Sequence, residues 1–170
     1  MKENNKIIKT VCIVCSIVVI SIALGILLST SGNKIHKKGL KVTDHEKVTI
    51  YVFRGDGCPH CEEAIAYFKT IEDEYKDFIQ FVTYETWNNT ANSELLKAIA
   101  NERKIQKYGV PFIVIGEKEF IGFSKGSGVG MINYALEQYQ SDSYKDEVKE
   151  IIETTNATDI KSMTLKEIEG

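Results

Sequence analysis

Two cysteines three positions apart, Cys58 and Cys61, most constrain what this chain can fold into. A run of strand-forming residues, 48–53, precedes them, and apolar residues recur after them at helical spacing. This order predicts that the pair lies where a β-strand ends and a helix begins. Pro59 fits the first turn of that helix, because proline there leaves no N–H unpaired and its φ is already near the helical value.

A cysteine at the start of a helix has altered acid–base chemistry. The free N–H groups and the positive end of the helix dipole stabilise an anion at Cys58, so its thiolate should form more easily than that of a free cysteine. A protonated His60 would act in the same direction. Cys61 lies one turn further along the helix. We therefore predict that Cys58 is the attacking thiolate and Cys61 the resolving thiol.

The order of strand, Cys-x-x-Cys and helix resembles the thioredoxin superfamily, and the Cys-Pro-His-Cys version resembles the motif of DsbA-type disulfide oxidases. Residues 108–115 are similar to the family segment that carries a cis-proline opposite the cysteines. The resemblance implies that Pro111 faces the cysteine pair and that Val110 pairs with substrate through its backbone. It also implies a thioredoxin-like α/β fold, with a central mixed sheet flanked by helices, over residues 46–141.

The remaining segments fit the element order β-α-β-α-β-β-α. We predict a strand at 78–84, a polar loop at 85–92 that holds Trp87, a helix at 93–106, strands at 112–115 and 119–123, and a closing helix around Met131 and Leu136. The glycine-rich residues 126–130 are interpreted as a flexible connection. The last part, 142–170, is predicted to contain a helix at 143–153 followed by a disordered tail.

The N-terminus carries the features of a membrane segment. Residues 11–28 contain no charged side chain, and a helix of that length would span about 27 Å, near the thickness of a bilayer core. We predict a basic N-terminus at 1–10, a transmembrane anchor at 11–28 and a linker at 29–45, with a cleaved, secreted form as the alternative. Because N-terminal apolar segments usually direct export, we place the folded domain outside the cytoplasm of a bacterial cell.

Charge and cysteine content limit the partners. Residues 1–41 carry a net charge of +6 and residues 42–170 a net charge of −9, so the acidic part argues against a nucleic-acid partner. Cys12 and Cys15 fall in the apolar segment and are interpreted as small apolar fillers. A zinc site at Cys58 and Cys61 would need two further ligands, and residues 42–170 offer only the two histidines at 45 and 60. We predict neither a metal nor a cofactor.

The resemblance implies an extracytoplasmic thiol–disulfide oxidoreductase that acts on protein thiols and disulfides and is recharged by a membrane redox partner. We favour oxidation over reduction, because a cation that stabilises the Cys58 thiolate also makes the disulfide easier to reduce. The chain departs from the family pattern at Val52, where many family members carry a buried acidic residue. No carboxylate is therefore available at this position for proton transfer to the resolving cysteine. The alternative is a thioredoxin-fold binding module of a membrane export or maturation complex, without turnover.

Overall fold

A computed structural model describes residues 34–36, 39–141, 144–155 and 159–168. The predicted anchor at 11–28, with Cys12 and Cys15, lies outside these ranges. Among the described residues, no helix combines the length and the apolar character needed to cross a membrane. All of the elements below belong to one compact unit that begins at Ile35.

A five-stranded mixed β-sheet forms the centre of this unit. In chain order the strands are β1 (Val48–Arg54), β2 (Ile79–Glu85), β3 (Phe112–Ile115), β4 (Lys118–Ile121) and β5 (Ser162–Met163). Their spatial order is β4-β3-β1-β2-β5. β1 and β2 run parallel, with Val48 opposite Ile79, and the other neighbours are antiparallel. A parallel pair needs a crossover connection, and a helix supplies it here.

Four helices cover both faces of the sheet. They are α1 (Pro59–Tyr75), α2 (Thr90–Glu102), α3 (Lys125–Tyr139) and α4 (Glu147–Thr154). Side chains alternate along β1, so Ile50 and Val52 join a core with α1 and α3, whereas Tyr51 and Phe53 join a second core with α2 and α4. A strand that is buried on both faces has a nearly continuous apolar sequence, as residues 48–53 do with Thr49 as the one polar side chain. The arrangement is compatible with the predicted thioredoxin-like fold.

The helix after the cysteines has the buried face that its sequence predicts. Its buried residues are Cys61, Ala64, Ile65, Phe68, Ile71 and Tyr75. The helix begins at Pro59, because Cys58 has an extended backbone and serves as the N-cap. The pair therefore lies at the junction of strand and helix.

Two helix starts differ from the sequence predictions because polar side chains cap them earlier. α2 begins at Thr90, inside the predicted loop, since the side chain of Asn89 accepts a hydrogen bond from the Asn92 N–H. The glycine-rich stretch 126–130 belongs to α3, which starts with a capping box at Ser124, so the prediction of a flexible connection was wrong. Glycine is required at 128, where a Cβ would lie only 2.7 Å from the Tyr67 ring.

The C-terminal segment differs most from its prediction. Residues 159–168 are ordered, contrary to the predicted disorder: β5 pairs with β2, and a short 3-10 turn, Leu165–Glu167, follows. Leu165 is fully buried in the core with α1 and α3. The buried Asn92 side chain donates to the Lys161 carbonyl at 2.9 Å and accepts from its N–H at 3.0 Å. α4 begins at Glu147, four residues later than predicted.

Part of the predicted linker at 29–45 also contacts the folded unit. The His36 N–H donates to the Asn133 side chain at 2.7 Å, and the Thr43 N–H donates to the Tyr139 hydroxyl at 3.0 Å. Both acceptors lie on α3. The folded unit therefore extends further towards the N-terminus than residue 46.

Candidate redox site

Cys58 and Cys61 form a disulfide at the start of α1, with their Cα atoms 5.2 Å apart. The Cys58 N–H donates to the Gly55 carbonyl at 3.2 Å, which fixes the turn between β1 and the helix. The Cys61 N–H donates to the Cys58 sulfur at 3.3 Å. The Cys58 sulfur therefore occupies the position where a helix start offers free donors and positive potential.

The two cysteines differ in position on the helix. Cys61 lies on the buried face of α1 and is 1 % exposed, whereas the N-cap Cys58 is 5 % exposed. Cys58 thus presents the larger accessible fraction to an incoming thiol. Both cysteines are therefore buried, and the roles of attacking and resolving cysteine stay a prediction.

A second segment contacts the pair from the start of β3, the strand beside β1. The Val110–Pro111 peptide bond is cis, as the resemblance implies, and Pro111 is buried. The Cys58 sulfur lies 3.8 Å from the Val110 carbonyl oxygen. The Gly122 N–H donates to the Pro111 carbonyl at 2.8 Å, which ties this segment to β4. Residues 58, 110 and 111 are therefore brought together although they lie far apart in the sequence.

The two residues between the cysteines face solvent. Pro59 occupies the first helical position, and both Pro59 and His60 are exposed. The His60 Nδ1 atom lies 3.9 Å from the Glu63 carboxylate, one turn further along the helix. His60 thus lies two positions after Cys58 in the sequence, and its neighbour in space is an acidic side chain.

Trp87 lies beside the turn that leads to Cys58. The Glu85 carboxylate accepts hydrogen bonds from the N–H groups of Trp87 and Asn88, both at 2.8 Å, and from that of Asp56 at 3.3 Å. The Trp87 ring is held over Gly55, where any side chain would collide with it. Trp87 nevertheless remains 59 % exposed. The sequence did not reveal Glu85 as the residue that joins the two loops.

Tyr84 does not share this surface. It is buried and its ring stacks on Phe53, with centroids 5.1 Å apart. Tyr84 therefore belongs to the core, whereas the Trp87 ring lies at the surface. Tyr108, two residues before Val110, supplies another exposed aromatic ring near the cis-proline.

A cleft of about 670 Å³ opens on the Cys61 side of the pair. Arg54, Asp56 and Cys61 line it, and residues of the C-terminal segment, including Met163, form another part of its wall. Arg54 ends β1 and is largely buried. Sequence reasoning missed it, although a basic residue at the end of an apolar strand was an available signal.

Val52, which stands where the resemblance would place a buried acid, is fully buried in the core. No carboxylate is therefore supplied from that point of β1. Within the ranges that the structure describes, no group of three or more His, Cys, Asp or Glu side chains is placed to hold a metal ion.

The arrangement is compatible with thiol–disulfide exchange. It combines a disulfide at a helix start, an N–H aimed at the first sulfur, and a cis-proline segment against it. A comparison with protein-family models finds no match for this chain, and neither does a comparison with curated proteins.

Proposed function

We propose that the protein is a thiol–disulfide oxidoreductase that introduces disulfides into protein substrates outside the cytoplasm. The observation that carries the proposal is the Cys58–Cys61 disulfide at the start of α1, with the Cys58 sulfur 3.8 Å from the carbonyl before cis-Pro111. In the proposed function, the backbone beside cis-Pro111 pairs with the substrate backbone, and the neighbouring Cys58 sulfur is the atom that the substrate thiolate attacks.

In the oxidising direction, a substrate thiolate attacks the Cys58 sulfur. A mixed disulfide forms, the Cys58–Cys61 bond breaks, and Cys61 leaves as a thiolate. A second substrate thiolate then attacks the substrate sulfur and releases Cys58. Two electrons pass from the substrate dithiol to the cysteine pair, and a membrane redox partner removes them to restore the disulfide. Reduction follows the same steps in reverse.

We also propose that residues 11–28 anchor the chain in the membrane and that the redox domain faces the extracytoplasmic side. The length of the apolar segment supports the anchor, and the motif supports a compartment where disulfides persist. A cleaved, secreted form is the alternative. Fractionation into membrane and medium, with the mass of the mature chain, would separate these two forms, and protease accessibility in intact bacterial cells would test the orientation.

Single cysteine variants test the mechanism. Using the full-length chain in mild detergent, we expect Cys58→Ser to abolish both insulin reduction and oxidation of a reduced, unfolded protein. Cys61→Ser should retain attack by Cys58 and accumulate mixed disulfides, which appear as a shifted band on a non-reducing gel. The matched control is the double variant Cys12→Ala and Cys15→Ala. Full turnover by Cys58→Ser would contradict the proposal.

The reduction potential tests the direction. Equilibration with glutathione should give a value near about −120 mV for a strong oxidant, whereas about −270 mV would indicate a reductase. The wild-type chain and the variant lacking Cys12 and Cys15 should give the same value, because the midpoint belongs to Cys58 and Cys61.

The second candidate is a binding module without turnover in a membrane export or maturation complex. The low exposure of Cys58 favours it, since a redox-idle pair needs no access. Absence of turnover in both assays, with a disulfide that glutathione cannot reduce, would support this candidate over the enzyme.

A further inference from the structure

The cleft beside Cys61 contains a buried cation. The Arg54 side chain is only 10 % exposed. One of its terminal nitrogens pairs with Asp56, and the other lies 3.7 Å from the Met163 sulfur, a weak acceptor. Its Nε is buried and finds no hydrogen-bond acceptor among the described residues. The guanidinium therefore has donor capacity and positive charge that its neighbours satisfy only in part.

The ion pair with Asp56 does not cancel this charge completely. The Asp56 side chain is 56 % exposed and also lies 3.4 Å from the Asn88 amide nitrogen. Water screens an exposed carboxylate, so its attraction for a buried cation is weakened. A second anion in the same cleft would still be stabilised by Arg54.

The other charged groups that line the cleft have partners of their own or face solvent. On α1, Glu62 is exposed, and the Lys69 ammonium donates to the Ile168 carbonyl at 2.6 Å. On the C-terminal turn, the Glu167 carboxylate accepts from the Thr164 N–H at 2.6 Å. Among the charged residues that line the cleft with Cys61, Arg54 is therefore the one whose side chain is buried.

We propose that Arg54 stabilises the Cys61 thiolate that exists during disulfide exchange, and that the cleft connects this sulfur to water. The inference rests on the proposed function, because it assigns the acid–base chemistry of the resolving cysteine. With Val52 in place of a buried acid, no carboxylate at that point of β1 accepts the proton of the Cys61 thiol. Arg54 instead favours loss of this proton by stabilising the thiolate that remains.

The cleft serves both directions of exchange. In reduction of a substrate disulfide, the Cys61 thiol gives its proton to water in the cleft, and its thiolate attacks Cys58. The new Cys58–Cys61 bond replaces the mixed disulfide, and the substrate leaves as a thiolate that takes a proton from water. In oxidation the Cys61 thiolate is the leaving group. Arg54 stabilises the same anion in each case.

The pH dependence of Cys61 alkylation tests the proposal. The full-length chain would carry Cys58→Ser, Cys12→Ala and Cys15→Ala, so that Cys61 is its single thiol, and iodoacetamide would be the probe. Arg54→Met should raise the pH midpoint of alkylation by about one unit, which slows the reaction about tenfold well below the midpoint. Arg54→Lys should keep the midpoint near that of the parent.

Two further variants make the test specific. Arg54→Gln removes the charge but keeps a polar side chain, so it should raise the midpoint as Arg54→Met does; this variant decides the question if Arg54→Met does not fold. Arg103→Met removes the other arginine whose side chain is equally buried in the described structure, outside the cleft, and should leave the midpoint unchanged.

An unchanged midpoint in folded Arg54→Met, or in folded Arg54→Gln, would overturn the role of Arg54. The test does not depend on turnover. A wild-type chain that fails both activity assays would contradict the proposed function while leaving the Cys61 midpoints to decide the role of Arg54.

Discussion

Trp87 carries a large apolar ring at the surface, beside the turn before Cys58. An exposed aromatic ring in that place can contact apolar side chains of a bound polypeptide. We expect Trp87→Ala to raise KM for a reduced, unfolded protein about fivefold, equivalent to roughly 1 kcal/mol, because truncating such a contact costs about this much. Steady-state oxidation assays would measure it.

A small disulfide separates this effect from disturbance of the site. Exchange with oxidised dithiothreitol should stay close to the wild-type rate in Trp87→Ala, since a small molecule does not need the ring. Val42→Ala, at another exposed apolar residue, is the matched control. An equal loss with both substrates would instead indicate that Trp87 acts by holding the turn at Gly55.

The residues of the candidate site were predictable where a short, continuous stretch of the sequence identifies them. Cys58, Cys61 and Pro59 share one helix start, and residues 108–115 form a second continuous motif around Pro111. Arg54 could not be assigned in this way, because its environment includes Met163, more than a hundred positions away. Side chains whose role depends on distant partners leave no periodic pattern in the sequence.

At the scale of elements, the short C-terminal turn contributes to the main core through Leu165. We expect Leu165→Ala to lower the free energy of unfolding by about 2–4 kcal/mol, because it removes fully buried methyl groups and leaves a cavity. Urea denaturation monitored by circular dichroism would measure the loss. Ile121→Ala, at a half-exposed position on β4, should cost clearly less. Similar losses at the two positions would contradict a core role for Leu165.

The long elements were predictable and the C-terminal ones were not. β1 and α1 bury continuous or periodic apolar residues, so their patterns identify them. β5 has only two residues and one partner strand, and no pattern can develop over that length. The polar composition of 154–170 suggested disorder, whereas hydrogen bonds to Asn92 and the fully buried side chain of Leu165 attach residues 159–168 to the domain.

For the whole molecule, buried tyrosines predict sensitivity to alkali. Burial raises the pKa of Tyr84 and of Tyr144 to about 12, and burial with the nearby Asp146 carboxylate raises the pKa of Tyr51. An unfolded tyrosine loses its proton near pH 10. Between about pH 10 and 12 the unfolded chain therefore binds fewer protons than the folded one, so stability is retained below pH 10 and falls as the pH rises through this range.

Urea unfolding of the oxidised protein between pH 8 and pH 11 would test this. Tyr84→Phe keeps the ring and removes the titrating hydroxyl, so its stability should fall less steeply above pH 10 than that of the wild type. Tyr108→Phe, at an exposed ring, should follow the wild-type curve. Parallel curves of stability against pH for Tyr84→Phe and the wild type would contradict a raised pKa of Tyr84 in the folded protein.

The pairing of β5 with β2 has a consequence for synthesis. A ribosome makes β2 long before it makes β5 and Leu165, so a nascent chain holds the cysteine motif while one sheet edge is unpaired and the core is unfilled. Open strand edges and exposed apolar residues favour association with other chains. The sheet therefore cannot close until β5 has left the ribosome, and a polypeptide stopped after α4 would expose an unpaired strand edge and apolar side chains that promote aggregation and attract quality-control proteases.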